Sequence, residues 1–327
     1  MISREDVIAG YSMILGRQPE NESAIEHHRQ HESLSVFRKA LLESAEFAVL
    51  YPRTAADASD IPFPRWEDLS APRLVFVHSP KTGGTTFHDL LASLYAEDRV
   101  CPERFNGLKN HPAGMLAHYR LFSGHYDLVS CQLIPGEKQI VTFLREPVSR
   151  LISLYNFLKA HRPDVAERNG WALARLASDL SAADFFQHPL VTDHPYIRDG
   201  MTRALVDSLP METWPTAAEQ TPPRDLSGAG NEALERLSSL AAFGVMERYE
   251  ESVGLIFACL GIPVPRSIIR KMVLSDLIEC EGNYRPIEVV RESAELRSLI
   301  EKLVPADLEL YTGALELFEQ RLRITRK

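Results

Sequence analysis

The sequence predicts an α/β fold, in which helices flank a parallel sheet, preceded by a small all-α module. From residue 72 onward, short apolar runs such as 74–77 and 140–144 alternate with stretches of helical apolar spacing, which is typical of a parallel sheet buried on both faces. Residues 1–50 carry helical spacing alone, and 51–71 are rich in Pro, Ala, Asp and Ser, as linkers are. We therefore expect an N-terminal helical module at 1–50, a linker at 51–71 and a principal domain at 72–327.

The N-terminal module is predicted from apolar residues clustered at 7–15 and striped at 37–47. The run DVIAGYSMILGRQPE followed by SAEF resembles a short helical module of unknown function that accompanies bacterial glycosyltransferases and related enzymes. We expect it to serve packing or to form a homo-oligomer. His27, His28 and His31 lie close together without a carboxylate or cysteine partner, which favours a solvated helix face over a metal site.

Composition limits the classes of function. Hydrophobic and charged contents of 45% and 25% are ordinary for a globular protein, and the net charge of -9 disfavours nucleic acid and long polyanionic sugar chains as partners. No apolar run reaches the roughly eighteen residues of a membrane span. The N-terminus lacks a signal peptide pattern, and the four scattered cysteines show no metal-ligand spacing. We therefore expect a cytoplasmic protein with reduced, packed thiols and no metal.

The principal domain begins with an apolar strand at 74–77, the loop PKTGGTT at 80–86 and a helical stripe at 87–95. Gly83 and Gly84 let the backbone approach a ligand, and the amides at the start of a helix bind anions. Lys81 adds a positive charge. The loop also supplies the hydroxyl groups of Thr82, Thr85 and Thr86. The pattern predicts a P-loop-like phosphate site.

The position of the lysine separates this loop from the Walker loop. The Walker pattern ends in Gly-Lys-Ser/Thr, whereas Lys81 precedes both glycines. We also find no acidic strand end of the type that holds magnesium. Both observations count against a nucleotide-dependent phosphotransferase, which remains an alternative.

The remaining elements follow in order along the chain. The pattern predicts strands at 121–124, 140–144 and 241–246, and helices at 148–158, 201–209, 252–260, 287–304 and 306–322. Residues 160–236 are the least regular, and we expect them to lie over the functional site and to determine ligand specificity. His125 and Arg145 each directly follow a strand, where open α/β sheets bind ligands, and Ser153 lies two turns into the next helix.

Two separated segments resemble one family. HSPKTGGTT is similar to the 5′-phosphosulfate loop, and TFLREPVSRLISLY to the 3′-phosphate segment, of sulfotransferases that use 3′-phosphoadenosine-5′-phosphosulfate (PAPS). The PKTGGT form resembles the carbohydrate branch, which includes the heparan and uronyl 2-O-sulfotransferases. Further similar pieces, such as FSGHYDL and IRDGMTRAL, extend the resemblance over about 72–323.

The resemblance implies roles for individual residues. The 5′-phosphosulfate would be bound by Lys81, Thr82, Gly83, Gly84, Thr85 and Thr86, and the 3′-phosphate by Arg145 and Ser153. His125 would be the catalytic base. Arg285 would belong to a loop that closes over the nucleotide.

The implied reaction is metal-independent, in-line transfer of a sulfuryl group from PAPS to a hydroxyl of a sugar or glycoconjugate, leaving PAP. Lys81 would stabilise the leaving phosphate, and an imidazole suits the proton transfer near neutral pH. Glu103 and Asp98 remain alternative bases, because tyrosylprotein sulfotransferases use a carboxylate near that point. The alternative acceptors are a peptide tyrosine and a small-molecule hydroxyl, and a non-catalytic binding protein is the alternative outside enzymes.

Overall fold

A computed structural model describes residues 2–15, 17–42, 72–210, 224–263 and 282–325, together with the single positions 44, 46 and 278. The chain divides into two compact units, Met1–Phe63 and Pro64–Lys327. The expected linker at 51–71 and the distal end of the N-terminal stripe, Phe47, lie outside the described residues.

The first unit contains the helices α1 (Arg4–Ile14), α2 (Glu22–Arg29) and α3 (Leu34–Leu42). A capping box starts α1, because Ser3 Oγ accepts a hydrogen bond from the Asp6 amide while the Asp6 carboxylate accepts one from the Ser3 amide. The helices enclose a small core of Ile2, Val7, Tyr11, Leu15, Ile25, Phe37 and Leu41. Leu42, predicted to be part of the apolar stripe, is exposed because it ends α3.

The second unit alternates strands and helices. Its strands are β1 (Arg73–Val77), β2 (Leu121–Gly124), β3 (Lys138–Leu144) and β4 (Ala242–Val245). Its helices are α4 (Gly84–Ala92), α5 (Ala113–Leu116), α6 (Pro147–Lys159), α7 (Pro163–Arg168), α8 (Ala172–Asp179), α9 (Ala182–Phe185), α10 (Pro189–Thr192), α11 (Gly200–Val206), α12 (Gly230–Ser239), α13 (Tyr249–Cys259), α14 (Ala294–Glu301) and α15 (Pro305–Thr325). None of the helices in the described ranges is both long and apolar enough to span a bilayer.

The four strands form one parallel sheet in the order β2-β1-β3-β4, which confirms the predicted α/β class. Both faces of the sheet are covered. Val75 and Val77 of β1 pack with Phe122 in one apolar cluster, whereas the intervening Phe76 contacts the ring of Phe87 from α4 on the opposite face. This burial explains why the strands read as continuous apolar runs.

Two predicted features differ from the structure. The helix predicted at 287–304 covers only Ala294–Glu301, because Ser293 caps its start and the preceding segment is extended, with the Val290 amide bonded to Asn156 Oδ1 at 2.9 Å. Of the cysteines described, Cys101 and Cys131 are buried free thiols, but Cys259 is exposed near the end of α13.

A buried ion pair ties α6 to the end of the chain. The fully buried Arg150 guanidinium lies 3.3 Å from Asp307 Oδ2 and donates to the Tyr196 carbonyl at 3.1 Å. Asp307 Oδ1 also accepts from the Thr202 amide in α11, while Asp199, just before α11, accepts from the Asp307 amide at the start of α15. The two aspartates therefore cap each other's helices, with Arg150 balancing their charge.

We expect Arg150→Met to lower the free energy of unfolding by about 3 kcal/mol, because it leaves the buried Asp307 carboxylate without its ion-pair partner. Urea unfolding would measure the change. Arg162→Met is the matched control, since Arg162 forms an exposed ion pair with Asp164 and should change stability by less than about 1 kcal/mol. Equal effects of the two substitutions would contradict this account.

Candidate active site

The candidate site lies at the edge of the sheet where the four parallel strands end, which we call the ligand edge. His78, His125, Arg145 and Met246 are the first residues after β1, β2, β3 and β4 respectively. Because parallel strands end at the same edge, these residues are brought to one side of the sheet. Residues more than 160 positions apart in sequence therefore lie along one edge of the sheet.

His78 and His125 are in direct contact. Val77 pairs with Gly124 across the strands, the His78 amide donates to the Gly124 carbonyl at 2.9 Å, and the two imidazole centroids are 4.7 Å apart. His78 is buried, and burial together with the neighbouring His125 holds its pKa well below the usual value. His78 is therefore neutral near pH 7, whereas His125 is only half-buried.

The Gly-rich loop follows His78 directly. Lys81 and Gly83 both have positive φ, 70° and 81°, so the chain turns tightly before α4 begins at Gly84. A side-chain carbon on Gly84 would lie 2.1 Å from the His78 ring, so a glycine is needed there. The buried Thr82 hydroxyl donates to the Ser79 carbonyl at 2.9 Å. The hydroxyl that was predicted to bind a ligand therefore already donates its proton within the protein.

Two cations are fixed side by side at this loop. Arg145 Nη1 donates to the Lys81 carbonyl oxygen at 3.0 Å. The Lys81 ammonium lies 4.0 Å from the centroid of the Phe157 ring on α6. Burial, and then the Arg145 charge, lower the pKa of Lys81 to about 8. A cation held next to another cation away from water favours an anion as its partner.

Ser153 lies on the same face of α6 as Phe157. Ser149, Ser153 and Phe157 recur at four-residue spacing and are all half-buried, while their neighbours on the helix point into the core. Since Lys81 lies over Phe157, the loop runs along this face. Lys81 and Arg145 therefore lie near the face of α6 that carries Ser153.

Arg104 is a cation of the site that the sequence analysis missed. Residues 100–104 run alongside β2, from the Val100–Leu121 bridge to the hydrogen bond from the His125 amide to the Arg104 carbonyl at 2.8 Å. Arg104 thereby reaches the ligand edge of the sheet, and burial lowers its pKa. Four positively charged or ionisable groups lie within electrostatic range of His78, namely His125, Arg104, Lys81 and His88.

The two carboxylates considered as alternative bases occupy opposite ends of this segment. Glu103 Oε1 accepts hydrogen bonds from the amides of Phe105 and Gly107, at 2.6 and 3.0 Å. Asp98 is exposed, lies 3.7 Å from His118, and precedes the segment at the amino edge of β2, away from the ligand edge. Glu103 is therefore near His125, and Asp98 is not.

Arg285 lies beside the end of α6. Its guanidinium donates to Ser178 Oγ at 2.8 Å, and its amide donates to the Ala160 carbonyl at 2.8 Å. These contacts attach the 284–285 segment to α6 and α8. They involve none of the strand-end residues.

No protein-family model matches the chain. Over 86 residues, which are 26% of this chain, the sequence is 34% identical to a protein-tyrosine sulfotransferase of Arabidopsis thaliana. The matched part spans 17% of the length of that protein. The comparison therefore supports the resemblance to sulfotransferases in part, and it does not support the carbohydrate branch.

We expect Gly84→Ala to lower the free energy of unfolding by about 1–3 kcal/mol, because the new methyl group would collide with the buried His78 ring. Urea unfolding would measure the loss. Gly114→Ala is the matched control, because a methyl group at that helical glycine meets no atom within 4 Å. If both variants were as stable as the wild type, the close packing of the loop on His78 would be refuted.

Proposed function

We propose that this protein is a sulfotransferase that moves the sulfuryl group of PAPS to an acceptor hydroxyl. The observation that carries the proposal is the presence of two cations at the loop, Lys81 and Arg145, with the Arg145 guanidinium bonded to the Lys81 backbone carbonyl at the ligand edge of a parallel sheet. The partial identity with a protein-tyrosine sulfotransferase supports the same reaction class. A donor with phosphate at both its 5′ and 3′ ends suits two neighbouring cationic groups on different elements.

In the proposed complex the loop binds the 5′-phosphosulfate. The amides of residues 83–86 face the anion at the start of α4, and Lys81 approaches the bridging oxygen between phosphorus and sulfur. The hydroxyls of Thr85 and Thr86 lie in the same first helical turn. Thr82 would contribute its amide, because its hydroxyl proton is bonded to Ser79. Arg145 and Ser153 would bind the 3′-phosphate beside α6.

The chemical step would be an in-line displacement at sulfur. The acceptor oxygen forms a bond to sulfur while the bond from sulfur to the phosphate oxygen breaks, and PAP leaves with the negative charge. Lys81 stabilises that charge, and a base takes the acceptor proton. We assign the base to His125, because it directly follows β2 at the strand ends, is only half-buried and borders the ring of neutral His78. Glu103 is the second candidate, although one of its oxygens already accepts two amide protons.

The acceptor is proposed from two different resemblances. The PKTGGT motif favours a sugar or glycoconjugate hydroxyl, whereas the partial relative favours a tyrosine side chain at least as well. The net charge of -9 disfavours long polyanionic chains in either case. Transfer of labelled sulfate from PAPS to a tyrosine peptide and to simple glycosides, measured side by side, separates the two.

Donor binding should weaken as Lys81 loses its proton. With its pKa near 8, Lys81 is largely charged at pH 7 and largely neutral at pH 9. We therefore expect the Kd of PAP, measured by calorimetry, to rise about tenfold between pH 7 and pH 9. Lys81→Met should bind PAP at least about tenfold more weakly at pH 7, and with little dependence on pH.

Lys159→Met is the matched control for this experiment. Lys159 also lies over an aromatic ring, that of Tyr155, but on a different face of α6 from Phe157. It should leave the Kd of PAP and its pH dependence unchanged. The absence of PAP binding to the wild type at high micromolar concentration, or ATP with magnesium displacing PAP, would refute the proposed donor.

The base assignment predicts different outcomes for two substitutions. We expect His125→Ala to lower kcat by about 10²–10⁴-fold while the Kd of PAP stays within about twofold. Glu103→Gln should retain most of the activity, since its side-chain oxygen still accepts the amides of Phe105 and Gly107. Steady-state sulfate transfer measures both. The reverse pattern would assign the base to Glu103.

A further inference from the structure

The loop 103–107 beside the candidate site is held in one conformation. The Glu103 carboxylate accepts two amides of its own loop, and the Glu103 carbonyl accepts a hydrogen bond from the Tyr126 hydroxyl. Buried Asn106 adopts a positive φ of 64°, which asparagine tolerates better than most residues. The Asn106 side-chain nitrogen, Nδ2, donates to Asp127 Oδ2 at 2.7 Å and to the Leu209 carbonyl at 2.8 Å. The loop is thus fixed from within, from β2 and from the end of α11.

This fixed loop presents one large apolar side chain to solvent. Phe105 is 50% exposed, although its neighbours Asn106 and Gly107 are buried. Its ring centroid lies 6.1 Å from that of His125, with the planes at 82°. A single exposed apolar residue is ordinary on a protein surface. Ligand pockets are commonly lined by aromatic side chains, and this exposed ring lies beside the proposed base on a loop whose backbone is fixed.

We infer that Phe105 forms one wall of the acceptor site and stacks on the ring that carries the acceptor hydroxyl, so that this hydroxyl points at His125. The inference rests on the proposed sulfuryl transfer and adds to it a positioning residue and a requirement on the acceptor. The acceptor must carry its hydroxyl on a ring that has a flat or weakly polar face for Phe105 to stack on. Phenols and pyranosides both meet this requirement.

The geometry places the proposed donor site and the proposed acceptor site on opposite sides of His125. Lys81 and Arg145 lie on the side of β1 and β3, whereas Phe105 follows the 100–104 segment at the outer side of β2. His125, at the end of β2, is in contact with both sides through His78 and Phe105. An acceptor against Phe105 would therefore reach the base without overlapping the donor.

The test compares Phe105→Ala with Phe105→Trp in the full-length protein saturated with PAP. Saturation-transfer NMR would detect binding of two ring probes, 4-methylphenol and methyl β-glucopyranoside, added separately. We expect the wild type to transfer saturation to at least one probe, Phe105→Ala to lose at least about nine-tenths of that signal, and Phe105→Trp to retain it. The probe that binds identifies the ring chemistry.

Turnover provides a second measurement with the acceptor that the wild type sulfates. Phe105→Ala should raise the KM for the acceptor about tenfold or more and change kcat by less than about threefold, because the ring positions the acceptor and takes no part in proton transfer. Phe105→Trp should restore the KM. Leu315→Ala, which truncates another exposed apolar side chain on α15, is the matched control and should change neither constant.

The outcomes separate this inference from the proposed function. If the wild type binds PAP and transfers sulfate while Phe105→Ala keeps the acceptor KM and the NMR signal, the acceptor wall is refuted and the sulfotransferase proposal stands. If neither ring probe binds the wild type, the wall is also refuted. If the wild type does not bind PAP, the proposed function itself fails.

Discussion

The parallel pairing of β1 with both β2 and β3 is the constraint on which the rest of the second unit depends. Each strand contributes one residue to the ligand edge, and none of these residues is close in sequence to the next. The hydrogen bond from the His78 amide to the Gly124 carbonyl extends the ladder by one residue, which brings the two imidazoles together. A slip of one residue would turn His125 to the other face of the sheet.

The site also illustrates how a protein holds like charges near each other. Arg145 donates to a carbonyl at the loop, so its hydrogen bonding is partly satisfied before any anion arrives. Lys81 is placed against an aromatic ring, which attracts a cation while excluding water. The lowered pKa of Lys81 is the remaining cost of this arrangement. An anion bound beside Lys81 would stabilise its charged form and raise its pKa again.

Local patterns were sufficient for part of this structure. The strand, loop and helix at 73–92 were predicted because they are contiguous, and the apolar runs of β2, β3 and β4 were recognisable for the same reason. Arg104 and Phe105 were missed, because their place depends on how 100–104 lies along β2, which no short-range pattern encodes. The predicted helix at 287–304 was too long, because a tertiary contact with Asn156 holds its first part extended. The roles of individual site residues stay predictions.

The mutual capping of α11 and α15 around Arg150 has a consequence for the order in which this chain assembles. Arg150 and Asp307 are 157 positions apart, so a nascent chain exposes α6 to solvent long before the carboxylate that neutralises its buried guanidinium has been synthesised. The ion pair between α6 and α15 can form only after residue 307 has been synthesised. Contacts between residues so far apart in sequence form slowly, so we expect the packing of α6 and α11 against α15 to be completed late in folding.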